Sequence, residues 1–305
     1  MMFKHFSSFV LLASHVASSN SKPALDILIP MAGLGSRFTM HPHYQNAPPK
    51  PLIKLPDDRT LIEVALADLI PKRFEARYLF VVRSLHRKDH DLTQVLSLIL
   101  LRHGVDPKNI VVMDATDASD GDDETTSGPA VTALRAMKLV LSSPNYPTTP
   151  LLIANCDQHI NWGEGKTVDD FVECAHAKMD TVGCLATYKS EPDASKSYVK
   201  IDENTGFATS VKEKEVISTD ASTGLYLFRS GVDFWNGANE MIERGDLKVN
   251  GEWYVAPVYN FLLDKGVRKF EVAEFWNTGT PESLEEFIRV KDIKKYEEGI
   301  WGNEI

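Results

Sequence analysis

The stretch Ile27–Phe38, ILIPMAGLGSRF, begins as an apolar run and then turns into two glycines and an arginine. The apolar part belongs to Leu25–Pro30 (LDILIP), which is typical of a buried β-strand. Gly33 and Gly35 follow at the carboxyl end of that strand, the edge where open α/β sheets bind ligands. Glycines let the backbone approach a phosphate and turn its N–H groups inward, and the planar guanidinium of Arg37 can grip one. The stretch therefore predicts a phosphate-binding loop.

Two well-known phosphate loops do not fit this stretch. A dinucleotide fingerprint requires a third glycine three residues after Gly35, where the chain has Phe38. A P-loop requires Gly-Lys-Ser/Thr, which this stretch lacks. The loop must therefore belong to another class of nucleotide or phosphate site, and an ordinary turn stays the alternative for the glycine pair taken alone.

The first half of the chain alternates continuously apolar runs with amphipathic stretches. This pattern predicts a mostly parallel sheet that is covered by helices on both faces. The predicted strands are Leu25–Pro30, Tyr78–Arg83, Ile110–Met113 and Leu151–Ala154, and the predicted helices are Leu61–Ile70, Leu92–Arg102 and Pro129–Leu141.

The second half has a different pattern. The turn-forming residues Asp202–Gly206 between two apolar runs predict a hairpin, and helices return towards the end. The predicted strands are Thr181–Tyr188, Tyr198–Asp202, Ala208–Val211 and Gly224–Phe228, and the predicted helices are Val232–Arg244, Val255–Lys265 and Pro281–Lys295. The predicted fold class is thus α/β: a Rossmann-like mixed sheet, mostly parallel, with helices on both faces and a more antiparallel carboxyl-terminal half.

Charge and cysteine content exclude several classes of protein. The net charge of -10 argues against nucleic acid and anionic membranes as partners, so a phosphate-bearing ligand needs a local basic site. The three cysteines are odd in number and lack metal-ligand spacing, so we expect buried thiols rather than disulfides. The acidic run Asp114–Glu124 lacks the ligand spacing of a calcium loop and predicts a solvated loop instead.

The first 24 residues resemble a targeting segment. They contain no Asp or Glu, and an apolar patch follows Lys4, as in a weak signal peptide or a Ser-rich transit peptide. We exclude them from the fold and expect one domain over residues 25–296 and a tail over 297–305. No other segment is long and apolar enough to predict stable membrane insertion. We expect a cytoplasmic location, whereas this start leaves the secretory pathway or an organelle open.

Further motifs follow the glycine loop in a fixed order. Prolines stiffen the backbone around Lys50. Gly128 lies at a predicted helix start, where an anion or a base edge can bind. Asp157 follows an apolar strand at the ligand-binding edge of the sheet. The motifs are Pro48–Leu52 (PPKPL), Gly128–Ala130 (GPA), Asn155–Asp157 (NCD), Val211–Lys214 (VKEK), Gly251–Glu252 (GE) and Trp276–Glu282 (WNTGTPE).

This ordered set resembles the nucleotidyltransferases that make nucleotide sugars, such as glucose-1-phosphate thymidylyltransferase, within the MobA-like NTP transferase superfamily. The resemblance covers residues 25–290, and the variants PMAGLGSRF and NCDQ are similar to a branch associated with surface polysaccharide synthesis. It implies in-line attack of a sugar 1-phosphate on an NTP with loss of pyrophosphate, using Mg²⁺. NTP and sugar 1-phosphate are the implied partners, and a homo-oligomer is left open.

The resemblance also implies a role for each matching residue. Charge on the transferred phosphates is stabilised by Arg37 and Lys50, and Asp157 binds Mg²⁺. In the carboxyl-terminal, sugar-binding half, Glu213 contacts sugar hydroxyls and Lys214 the sugar phosphate, although a KEKE run is also common on exposed strands. The implied nucleotide-binding residues are Ala32, Gly33, Gly35 and Gly128, and the implied substrate-binding residues are Glu213, Lys214 and Glu252.

Asn277 departs from the family pattern. The thymidylyltransferases carry a second metal-binding Asp before Gly-Thr, where this chain has Asn277. An amide oxygen is neutral, so we expect Asp157 and Asn277 to hold the metal with weaker affinity. Two alternatives stay open. One is a cytidylyltransferase for a non-sugar phosphate such as phosphocholine, whose cation needs an aromatic cage, for which Trp253, Tyr254 and Tyr198 are the candidates. The other is a catalytically weak nucleotide-sugar sensor.

Overall fold

A computed structural model describes residues 22–115, 126–142, 148–176 and 179–294. Most of the expected targeting segment, the tail over 297–305 and residues 116–124 of the acidic run lie outside these ranges. Among the described residues, no helix has both the length and the apolar character needed to cross a bilayer.

Eleven strands and eight α-helices lie in the described ranges. The strands are β1 Ala24–Met31, β2 Glu75–Val82, β3 Ile110–Asp114, β4 Leu151–Ala154, β5 Gln158–Asn161, β6 Gly183–Lys189, β7 Ser197–Ile201, β8 Ala208–Glu213, β9 Asp220–Phe228, β10 Val267–Glu271 and β11 Glu274–Asn277. The helices are α1 Ser36–Thr39, α2 Leu61–Ala67, α3 Ser84–Asp89, α4 Leu92–Arg102, α5 Pro129–Leu141, α6 Val168–His176, α7 Gly231–Arg244 and α8 Pro281–Val290.

The central sheet has the strand order β10-β6-β9-β4-β1-β2-β3. β1 pairs in parallel with β2 and β4, and β2 pairs in parallel with β3. β9 runs antiparallel to both β4 and β6. The predicted change from a parallel first half to a more antiparallel second half is therefore confirmed, and the switch lies between β4 and β9.

Both faces of the sheet are buried, as the apolar strands predicted. Along β1, Ile27 and Ile29 belong to one hydrophobic cluster and Leu28 to another. The first cluster includes Leu96 of α4, whereas the second includes Phe234 of α7. Successive strand side chains point to opposite faces, so a strand covered by helices on both sides has no polar alternation.

The predicted hairpin is also present. β7 and β8 pair antiparallel around the turn at Asp202–Gly206. Within the described residues the hairpin joins the central sheet through Tyr198 opposite Ala221. Asn260 fastens it from the other side, because its side chain accepts from the N–H of Val211 and donates to the carbonyl of Val211.

Two predictions about the chain are corrected. The predicted helix Val255–Lys265 is instead a pair of 3₁₀ segments, Ala256–Phe261 and Leu263–Lys265. Pro257 lies at the start of the first segment and supplies no backbone N–H, and Gly266 follows the second at a φ of 89°. The strands and α-helices that we did not predict are α1, α3, β5, α6, β10 and β11.

The cysteines are the second correction. Cys174 of α6 and Cys184 of β6 form a disulfide with Cα atoms 6.4 Å apart, and only Cys156 is a free thiol. A Cα separation of this size suits a disulfide. A spacing of ten residues is not typical of a disulfide framework, so the sequence did not predict this bond. The two cysteines are brought together by the packing of α6 on the sheet.

Candidate active site

The glycine-rich loop leaves β1 at the carboxyl edge of the sheet. Gly35 adopts a φ of 65°, a left-handed conformation that glycine accepts without strain, and it caps α1. Phe38 anchors the loop, since it is 2% exposed and packs with Leu61 and Leu284. Arg37 is exposed and makes no hydrogen bond or ion pair with the part of the chain that the structure describes. Its guanidinium is thus free to contact a ligand.

Lys50 and Asp157 meet across the edge of the sheet. A 3₁₀ turn over Lys50–Leu52 holds the lysine, with Leu52 and Ile53 buried beneath it. Its Nζ lies 2.7 Å from Asp157 Oδ2 just beyond β4, and both side chains are mostly buried, at 23% and 17% exposed. Burial opposes the charged ammonium, but the attraction of Asp157 outweighs it and raises the pKa of Lys50 to about 12. The lysine is therefore a fixed positive charge at neutral pH.

Gly128 is held against the backbone of Trp253. The Trp253 N–H donates to the carbonyl of Ser127 at 2.8 Å, and the Ala130 N–H donates to the carbonyl of Trp253 at 3.0 Å. Gly128 has a φ of 116°, and a Cβ there would lie 2.5 Å from the Trp253 N and O atoms. Only glycine fits this close approach, which sets the start of α5 at the rim of the site.

Asp157 and Asn277 converge around Gly279. The pairing of β11 with β5 places Asn277 opposite Gln158, next to Asp157. A Cβ on Gly279 would collide with Asp157 Oδ2 and would lie 2.9 Å from Asn277 Oδ1. Both side-chain oxygens therefore face the same small space. Carboxylate and amide oxygens suit Mg²⁺, so the donor set fits the expected metal.

A polar network connects the expected acceptor residues. Lys214 Nζ lies 2.7 Å from Tyr254 Oη and 4.5 Å from the centre of the Tyr254 ring. Tyr254 Oη donates to Glu252 Oε2 at 2.6 Å. Burial and then the neighbouring Glu252 raise the pKa of Tyr254, so its hydroxyl keeps its proton. The lysine ammonium is thus held by the Tyr254 hydroxyl, which in turn is bonded to the carboxylate of Glu252.

Glu213 lies beside this network at the end of β8. The Ser197 hydroxyl donates to Glu213 Oε2. Burial raises the pKa of Glu213, and the Ser197 hydrogen bond and the charge of Lys214 offset that effect only in part. Tyr226, which is buried beside Glu213, also has its pKa raised, to about 12. This half-buried patch offers hydroxyl and carboxyl groups for hydrogen bonds with a polyhydroxyl ligand.

A cavity of about 460 Å³ brings most of the expected residues together. Its volume lies in the range of small-molecule sites. Three expected residues, Glu213, Lys214 and Asn277, do not line it. Lys214 is connected to it through Tyr254 and Glu252, and Asn277 through Gly279. The expected residues that line the cavity are Ala32, Gly33, Gly35, Arg37, Lys50, Gly128, Asp157 and Glu252.

Sequence reasoning missed several residues of the site. Thr126 and Thr132 line the cavity and both donate to the carbonyl of Gly128 at 3.2 Å. Tyr254 was considered only as part of a cation cage, and Gly279 only as part of a turn. The position of Tyr254 two residues after Glu252 was the signal for it, because alternate residues of an extended segment share a face.

Comparison with solved structures supports the fold. A nucleoside-diphosphate-sugar pyrophosphorylase from Vibrio cholerae matches with a TM-score of 0.67 and 21% identity, over 86% of this chain and 99% of that one. A putative glucose-1-phosphate thymidylyltransferase from Bacillus anthracis matches with a TM-score of 0.65 and 16% identity, over 90% of this chain and 98% of that one. The inositol-1-phosphate CTP transferase from T. maritima matches with a TM-score of 0.59 and 15% identity, over 90% of this chain and 100% of that one.

No protein-family model matches the sequence, and no curated protein does either. The solved structures nevertheless show that the chain has the fold of these nucleotidyltransferases. At such identities the likeness establishes the fold, and the chemistry has to be argued from the site itself.

Proposed function

We propose that this protein is a nucleotidyltransferase that joins an NTP to a sugar 1-phosphate and releases pyrophosphate. The observation that carries the proposal is the convergence of Arg37, Lys50, Asp157 and the Gly33–Gly35 backbone on one cavity at the carboxyl edge of the sheet. A protein with a net charge of -10 gathers two cationic side chains and a glycine loop at this one place. Such a site suits a polyanionic ligand.

The proposed reaction is an in-line displacement. A phosphate oxygen of the sugar 1-phosphate attacks the α-phosphorus of the NTP, and the new oxygen–phosphorus bond forms as the bond to the bridging oxygen breaks. That oxygen leaves with its electron pair as part of pyrophosphate. A phosphate oxygen is already anionic at neutral pH, so no general base is needed, and positioning and charge stabilisation dominate.

The side chains have separate tasks in this scheme. Lys50, already fixed as a cation, and the exposed Arg37 stabilise negative charge on the transferred phosphates. Gly35, whose backbone is left-handed, and Gly33 two residues before it leave room for backbone N–H groups to contact phosphate oxygens. Asp157 and Asn277 would hold Mg²⁺, which when bound neutralises phosphate charge. Gly128 and the two threonines border the space for the base.

The network of Glu213, Lys214, Tyr254 and Glu252 is proposed as the acceptor site. Lys214 would bind the phosphate of the sugar 1-phosphate, while Glu213 accepts hydrogen bonds from sugar hydroxyls. The hydroxyl and ring of Tyr254 hold the ammonium of Lys214 in place. A charged group that is fixed before the ligand arrives loses less entropy on binding.

The same geometry weighs against a choline acceptor. A choline cage needs aromatic faces that are open to a cation. Lys214 already lies against the Tyr254 ring, Lys248 lies over the Trp253 ring, and Tyr198 is fully buried. We therefore favour a sugar phosphate over phosphocholine.

Pyrophosphate release by the full chain tests the proposal. The four common NTPs would be crossed with a panel of sugar 1-phosphates and with phosphocholine, with and without Mg²⁺. We expect Mg²⁺-dependent release with one NTP and one sugar phosphate. Release with CTP and phosphocholine alone would contradict the sugar acceptor. Nucleotide binding without release from any pair would contradict catalysis and support the sensor alternative.

A further inference from the structure

A second group of metal-ligating side chains lies outside the cavity. The histidine cluster consists of His41, His43 and Glu285, and each offers a ligand atom within 4.8 Å of the other two. His43 Nδ1 lies 3.6 Å from Glu285 Oε1. These residues have no part in the proposed transfer reaction. We propose that the histidine cluster binds a divalent transition-metal ion such as Zn²⁺, separately from the Mg²⁺ site at Asp157.

The two segments that carry the histidine cluster are held next to each other by the packing of the residues that flank the ligands. Phe38 and Tyr44, which flank the two histidines, meet edge to face with ring centres 5.1 Å apart. Phe38 shares a hydrophobic cluster with Leu284 and Phe287, which flank Glu285 on α8. The ligand side chains themselves stand outside this packing, and His43 and Glu285 are 76% and 52% exposed. A metal can therefore reach a site whose backbone is already in place.

Local geometry leaves the ligand atoms free to close around an ion. Pro42 fixes the backbone between the two histidines within a 3₁₀ turn. The His43 backbone N–H donates to His41 Nδ1 at a long 3.4 Å, so that bond is weak and gives way readily. The two imidazole rings lie 5.2 Å apart, close enough to share an ion after small rotations of their side chains.

The ligand types decide which metal fits. Imidazole suits Zn²⁺, Cu²⁺ and Ni²⁺, whereas Mg²⁺ prefers oxygen ligands. Two histidines and one carboxylate leave further coordination positions for water, as at open zinc sites. The histidine cluster and the Asp157 site therefore differ in chemistry, and they select different ions.

A bound ion would tie together two segments that both begin at the proposed active site. The segment with His41 and His43 follows Arg37 directly, and α8 with Glu285 follows the turn at Gly279. An ion that bridges them would restrict the separation of the glycine loop from that turn. The proposal does not depend on the transferase reaction, because it concerns binding and stability alone.

Zn²⁺ binding to the full chain in buffer with excess Mg²⁺ tests the site. Isothermal titration should show one Zn²⁺ site that Mg²⁺ does not block. At a hundredfold excess over its Kd, Zn²⁺ should raise the Tm by about 5 °C. We expect His43→Ala and Glu285→Gln each to weaken binding by at least about tenfold, since even outer-shell changes cost that much.

His90→Ala is the matched control. His90 lies close to His86, with ring centres 6.5 Å apart, so this pair is a competing place for Zn²⁺. The control should bind Zn²⁺ as the unaltered chain does. Unchanged affinity in both His43→Ala and Glu285→Gln would overturn the proposal. Loss of Zn²⁺ binding in His90→Ala, with binding kept in His43→Ala and Glu285→Gln, would also overturn the proposal and would place the ion at α3.

Discussion

Lys50 Nζ and Asp157 Oδ2 lie 2.7 Å apart, so the expected metal ligand is already neutralised by the expected phosphate-binding lysine. A metal at Asp157 would compete with Lys50 for the charge of this carboxylate unless the lysine turns to another anion. The phosphates of the nucleotide are such an anion. In the proposed site the two residues would thus couple metal binding to nucleotide binding, and Mg²⁺ alone should bind weakly.

Asp157→Asn should nearly abolish turnover. The variant keeps the shape of the side chain but removes the charge, and losses of electrostatic groups at reacting centres reduce kcat by about 100-fold or more. Lys50 would also lose its partner, which costs about 1–3 kcal/mol of stability. Pyrophosphate release and urea unfolding measure the two effects. Asp58→Asn, which alters an exposed pair with Lys54, is the control; full activity of Asp157→Asn with Mg²⁺ would exclude Asp157 as the metal ligand.

Asn277→Asp should tighten Mg²⁺ binding. A second carboxylate adds a charged oxygen beside Asp157, and cation affinity rises with the charge of the ligands. The Gly279 N–H, which donates to Asn277 Oδ1 at 2.7 Å, would still have an acceptor. The concentration of Mg²⁺ that gives half-maximal rate should fall. An unchanged Mg²⁺ dependence would show that residue 277 lies outside the metal site.

Gly33→Ala should affect mainly nucleotide binding, whereas Gly128→Ala should affect mainly stability. No atom lies within 4 Å of a Cβ at Gly33, so Gly33→Ala should change the free energy of unfolding by less than about 0.5 kcal/mol and raise KM for the NTP. Gly128→Ala should destabilise the fold by about 1–3 kcal/mol because of its φ and the Trp253 backbone. Urea unfolding and KM measurements distinguish them. Unaltered KM in a folded Gly33→Ala would contradict the phosphate loop.

Tyr254→Phe should weaken acceptor binding and leave the fold intact. The variant keeps the ring under Lys214 but loses the hydroxyl that joins the lysine to Glu252. Hydrogen bonds to charged groups contribute about 1.5–3 kcal/mol, which corresponds to roughly a 10–100-fold rise in KM for the sugar phosphate. Tyr188→Phe is matched to it, because Lys196 lies over that ring in the same way, away from the cavity. A KM for the NTP that rises equally would contradict a role limited to the acceptor.

Glu213→Gln should change the pH dependence of stability in a defined direction. Burial raises the folded-state pKa of Glu213 above its usual 4.5, so the folded protein holds this proton more tightly than the unfolded chain does. Stability is therefore lost as pH rises from the unfolded pKa through the folded one. The Tm of Glu213→Gln relative to the unaltered chain should climb over that window and then level off. A Tm difference that is constant with pH would show that Glu213 has no raised pKa.

Much of the fold and part of the site were predictable from sequence. The apolar runs Leu25–Pro30 and Leu151–Ala154 were predicted as strands of one mostly parallel sheet, and the structure shows that they are parallel neighbours. Parallel strands bring their carboxyl ends to one edge. For that reason Gly33 and Asp157 were expected together, and the structure places them in one cavity. The order of the motifs also contributed, since most of them fall at the end of a strand or the start of a helix, whereas Pro48–Leu52 and Gly251–Glu252 lie outside the strands and α-helices.

Other features depend on contacts that no local pattern records. The strands β5 and β11 have four residues each and mixed burial, too short for a clear alternation. The pairing of Gly128 with Trp253 and of Lys214 with Tyr254 joins segments far apart in sequence. The limits of the domain at residues 25 and 296 and the roles given to the site residues stay predictions.

The hairpin of β7 and β8 carries Ser197 and Glu213, yet it joins the central sheet through Tyr198 opposite Ala221 and through Asn260. Two of the four proposed acceptor residues, Glu213 and Lys214, thus lie on or just after this hairpin, whereas the proposed nucleotide residues follow the central strands of the same nine-stranded sheet. Substitutions in the hairpin would then alter the acceptor site without disturbing the reaction centre. A chimaera that receives residues 190–219 from a relative would exchange Glu213 and Lys214 but keep Glu252 and Tyr254, so we expect its sugar preference to change only in part.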